Sequence, residues 1–130
     1  METRIVKDRI TRSELENLAH EQYRDVNRTP VSKERWQTLS FAQQFGNIGS
    51  EVGRAAKWQG KDENSFWGAV IRAMELFDLT QKDARWSKRK PEINRAKELF
   101  ADAVLGGTEY KTTLQDLDKY FMQFAITAMK

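Results

Sequence analysis

Residues 45–55 read FGNIGSEVGRA and put Gly46, Gly49 and Gly53 inside what otherwise reads as one long helix. A glycine in a helix interior costs about 1 kcal/mol relative to alanine. Something must offset that cost at three closely spaced positions. Three explanations compete: a phosphate-binding loop, a helix break at Gly46 and Asn47, and a face built for close contact. The loop fails on spacing, because the pattern is G-x-x-G-x-x-x-G and no strand pattern precedes it. A phosphate cradle also needs backbone N–H groups free of helix bonds. At about 100° per residue, Ala42, Gly46, Gly49 and Gly53 fall within about 60° of one another. This stripe of small residues borders an apolar face made by Phe41, Phe45, Ile48, Val52, Ala55 and Ala56. Gln43, Asn47, Ser50, Glu51 and Arg54 lie on its other side. Close helix packing is therefore preferred, with the break as an alternative. A neighbouring helix backbone, or a large ring such as Trp67 or Phe121, could approach the bare axis and regain dispersion energy. Whether that neighbour belongs to the same chain or to a second subunit stays open.

Working outward, Ser32 is a candidate N-cap, and Trp36, Leu39, Ala42 and Phe45 extend the apolar spacing backward, predicting one helix over 32–58. Upstream, Ser13 with Glu16 matches a capping box, and Leu15, Leu18 and Ala19 give a short stripe. Residues 1–30 are accordingly read as a helical arm, closed by Pro30, which disfavours helix at Thr29. A third helix is expected over about 65–82, with Phe66, Val70, Ala73 and Phe77 on one face. Pro91 suits the first turn of a fourth helix, and Gly106–Gly107 form a stop. Thr112 with Gln115 reads as a capping box before a last helix carrying Leu114, Leu117, Phe121, Phe124 and Ala128. The expected fold is all-α: a single-domain bundle of four main helices over 31–130, plus the N-terminal helix.

Composition narrows the functional classes. With 130 residues, 39% hydrophobic and 32% charged, the chain suits one folded domain with a modest core. No apolar run is long enough for a membrane span, so no membrane partner is expected. Cysteine is absent and METRIVKDRI lacks a signal-peptide apolar segment, which fits a cytoplasmic location. Without cysteine and with His20 as the lone histidine, neither a metal nor a cofactor is expected. Glu16 and His20 are four apart and lack the second pair that a carboxylate metal bundle needs. No catalytic constellation emerges.

Two polar sets invite a functional reading. Asn47, Glu51 and Arg54 could hold a small ligand, although a Glu–Arg pair three apart is commonly simple helix surface. Residues 82–97 carry seven basic and two acidic side chains, a concentrated excess in a chain of net charge +3. There Arg85, Lys88, Arg89 and Lys90 surround Trp86, as nucleic-acid binding by phosphate contact and base stacking would require. The plain alternative is a solvated loop with Trp86 as a packing anchor.

The segment NIGSEVGRAAKWQ resembles one carried by a family of small bacterial and archaeal helical proteins. The similarity continues through RAMELFDLT and LDKYFMQFA, covering about residues 39–127. That family is uncharacterised, so the resemblance implies a compact all-α domain and no activity. A more distant resemblance is to HEPN-type helical domains, many of them RNases marked by an Arg, four to six intervening residues, and then a His. Before His20 those positions are Ser13, Glu14 and Leu15, and Arg12 is one residue too far. An HEPN-like fold here would therefore lack the usual nuclease site. The expected function is a non-catalytic interaction module, partnered by itself as a homo-oligomer or by another protein. Nucleic-acid binding through 82–97 is the alternative.

Overall fold

The computed structural model describes residues 31–130. The expected arm over 1–30, including His20, lies outside the described residues. A short helix α1 (Lys33–Trp36) leads into α2 (Phe41–Trp58) and α3 (Glu63–Gln81). A 3-10 segment (Ala84–Arg89) then runs into α4 (Lys90–Val104), and α5 (Leu114–Ala128) closes the bundle. No strand occurs among the described residues. The fold is an all-α, single-domain bundle.

The helix expected over 32–58 is two helices. Ser32 caps only α1, and Gln37 ends it. Ser40 then adopts an extended conformation and starts α2 with a reciprocal capping box to Gln43. The offset lets Trp36 turn into the core, where its indole N–H donates to Thr80 Oγ1 at 3.0 Å. Apolar spacing runs unbroken across the turn and hides it from a periodicity argument. No break occurs at Gly46 and Asn47, because α2 is continuous through both. The last helix is capped one residue later than expected, by Thr113 with Asp116.

Helix α4 ends as its glycines require. Gly106 and Gly107 have φ of 109° and 74°, open to residues without a Cβ. Gly107 N–H donates to Asp102 O and Gly106 N–H to Ala103 O, which closes a Schellman motif. The Asp102 carboxylate accepts from the backbone N–H groups of Glu109 and Tyr110, fastening the following loop to the helix.

Each main helix contributes one fully buried phenylalanine to the centre: Phe45, Phe77, Phe100 and Phe121. Phe77 meets Phe45, Phe100 and Phe121 at centroid distances of 6.4, 5.9 and 6.1 Å. Such tilted and edge contacts suit ring quadrupoles and contribute about 0.5–1.5 kcal/mol per pair beyond burial. Helix α2 packs on α3 and on α5 and runs antiparallel to α5, since Gly46 faces Ala125 while Gly53 faces Asp118. Among the described residues, no helix is long and apolar enough to cross a membrane.

Candidate functional site

The glycine stripe of α2 lies against α5 of the same chain. A Cβ added at Gly49 would lie 2.6 Å from Phe121 Cβ, and one at Gly46 would lie 3.2 Å from Ala125 Cα. One at Gly53 would meet the Asp118 carboxylate at 3.0 Å. Gly49 is buried, whereas Ala42, Gly46 and Gly53 are half-buried at the surface edge of the contact. The close approach leaves a shallow groove of about 330 Å³ floored by Gly46, Gly49 and Gly53 and walled by Phe121, Met122 and Ala125. Arg54, Lys57 and Asp118 stand at one end of it.

Beside this groove α5 carries a second apolar stripe. Met122, Ile126 and Met129 are 51%, 52% and 86% exposed. Their spacing of four and three puts them within about 60° on the helix, roughly 100° from Phe121. A helix that buries only one face normally keeps the opposite one polar. Sequence reasoning passed over this stripe because the stronger stripe through Leu117 and Phe121 accounts for the helix. The signal was the residual apolar spacing left after that face is assigned.

Between α2 and the first half of α3 lies a polar recess of about 530 Å³. Glu51 and Arg54 line it together with Trp58, Asn64 and Arg72. Glu51 is buried rather than on an open polar surface, because α3 packs over that side of α2. Its carboxylate accepts from Arg54 Nη1 at 2.6 Å, and the Arg54 side chain is 61% exposed. Asn47 is exposed, one turn earlier on α2, and does not line the recess. Arg72 comes from α3 and could not be linked to Glu51 before the helix pairing was known.

The basic segment is largely committed to the fold. Arg85 donates to both carboxylate oxygens of Asp83 at 3.0 and 2.7 Å and to Leu39 O at 2.8 Å. These bonds hold the buried Asp83 carboxyl at a pKa of about 2, below its ordinary 3.8, with Gln44 assisting. Gln44 is fully buried and donates to Asp83 Oδ2 and Trp36 O while its own oxygen accepts from Trp86 Nε1. Trp86 also sets its ring against Phe41 at 5.4 Å. Arg89 lies over the Phe41 ring at 3.8 Å and pairs with Glu92 at 3.0 Å. Lys88 and Lys90 are exposed. Arg89 and Trp86 thus tie the 3-10 segment to α2, and Arg85 ties it to the turn before α2.

Among the described residues no group of three or more His, Asp or Glu side chains is placed to hold a metal ion. Comparison with protein-family models, curated proteins and solved structures gives no match.

Proposed function

We propose that this chain is a non-catalytic helical interaction module that self-associates through the α2–α5 face. The observation that carries the reading is the exposed ridge of Met122, Ile126 and Met129 beside a glycine-floored groove. A ridge and a groove on one face are self-complementary under a twofold axis, the commonest symmetry of oligomers. An axis through α5 near residue 124 sets Met122 of each copy opposite Ile126 of the other. Nucleic-acid binding through residues 82–97 ranks second, because Arg85, Arg89 and Trp86 already have partners in the fold.

Light scattering over a concentration series tests the proposal. The unmodified protein is expected to have the mass of a dimer, and Met122→Glu with Ile126→Glu is expected to be a monomer with an unchanged helical spectrum. Both substitutions sit on an exposed face, so they should leave folding intact. A monomer at every concentration, or a dimer that survives both charges, refutes it.

A further inference from the structure

The recess between α2 and α3 carries two guanidinium groups and an indole N–H against one carboxylate, with Asn64 and Ser65 as its neutral polar side chains. Arg72 makes no hydrogen bond or ion pair with any described residue, and neither does the indole N–H of half-buried Trp58. Arg54 spends one N–H on Glu51 and keeps most of its guanidinium exposed. A guanidinium carries five N–H donors and no acceptor. The neighbouring acids do not answer these donors. Asp62 caps α3 by accepting from Ser65, and Glu63 accepts from Trp67 Nε1 at 2.9 Å. Glu51 is the one carboxylate among the lining side chains, set against two guanidinium groups. The volume of about 530 Å³ falls in the range of small-molecule sites, roughly 300–1,000 Å³.

We infer that this recess binds a small organic molecule through an oxyanion, a carboxylate or a phosphate. Arg72 and Arg54 grip it from the two helices, and the Trp58 indole N–H supplies a third donor. Planar, multi-donor guanidinium groups match the paired oxygens of such an anion better than an ammonium would. Glu51 orients Arg54 from behind and opposes excess anionic charge, so it limits affinity while fixing geometry. Arg54 stands at the border between this recess and the α2–α5 groove, whereas Glu51, Trp58 and Arg72 line the recess alone, so the site does not depend on self-association.

The test is a titration of the isotopically labelled full chain with inorganic phosphate and, separately, with acetate at constant ionic strength, following the indole N–H resonances. One resonance, identified by its absence in Trp58→Phe, is expected to shift saturably. Arg72→Met, which keeps most of the side-chain volume, should weaken binding by about tenfold or more, as loss of a charge-assisted contact implies. Glu51→Gln should strengthen binding by roughly threefold to tenfold, because it removes a like charge beside the ligand. Damage to the fold cannot mimic that gain. Phosphate preferred over acetate identifies a phosphorylated ligand, and the reverse a carboxylate. The inference is overturned by the absence of a saturable shift at tens of millimolar of either anion. It is equally overturned by binding that Arg72→Met leaves unchanged.

Discussion

Replacing Gly49 and Gly53 of the α2 stripe singly by alanine should change stability with opposite signs, although the two positions are only one helical turn apart. Alanine gains about 1 kcal/mol of helix propensity at either site. At Gly49 the new methyl would lie 2.6 Å from Phe121 Cβ, an atom fixed to the α5 backbone, not the end of a movable chain. Ordinary contact between such carbons is about 3.5–4.0 Å, so α2 and α5 must part by about 1 Å. That separation loosens Phe121, which is 1% exposed and makes tilted and edge contacts with Phe45, Phe77 and Tyr120. Overpacking of this kind costs about 1–3 kcal/mol, and the rigid obstacle puts this site at the upper end. Net of propensity, Gly49→Ala should destabilise by about 1–2 kcal/mol. At Gly53 the obstacle is the carboxylate of half-buried Asp118 at 3.0 Å, which can swing toward solvent. There the propensity gain dominates, and Gly53→Ala should stabilise by about 0.5–1 kcal/mol. Urea denaturation followed by circular dichroism reads both, provided the slopes match that of the unmodified protein. If Gly49→Ala proves at least as stable as the parent, the stripe is not a rigid contact and the reasoning is wrong. The same conclusion follows if Gly53→Ala is the more damaging of the two.

Asp83 has a folded pKa of about 2, below its ordinary value of 3.8. Its contribution is therefore fully present above about pH 4 and lost as pH falls toward 2, amounting to at most about 2 kcal/mol because Arg85 is partly exposed; Asp83→Asn should flatten denaturation midpoints across that window, and an unchanged pH profile would count against the network. Trp86→Ala should cost about 2–4 kcal/mol, since it empties a half-buried ring site and leaves buried Gln44 Oε1 without its donor. Lys88→Ala with Lys90→Ala should stay within about 0.5 kcal/mol of the parent; a damaging lysine pair beside a tolerated Trp86→Ala would reverse the assignment of anchor and surface.

Local rules written in the sequence determined most of the architecture. Apolar spacing of three and four placed the four main helices, and Gly106–Gly107 and Pro91 marked boundaries, because helix geometry and backbone stereochemistry act over a few residues. The same geometry put Ala42, Gly46, Gly49 and Gly53 in one stripe. It offered Trp67 and Phe121 as rings that could fill the space opposite but could not choose Phe121, with Ala125 beside Gly46, since pairing of helices distant in sequence is chosen by side-chain fit across the whole core. Tertiary structure alone decided that Glu51 is buried, that Arg72 joins Arg54 while Asn47 does not, and that Trp86 anchors the 3-10 segment to Gln44. It also decided that the strong stripe of α5 through Leu117 and Phe121 is used inside the bundle, leaving Met122, Ile126 and Met129 outside. A helix turns two apolar edges through its own periodicity. Only the packing of its neighbours determines which edge water still reaches.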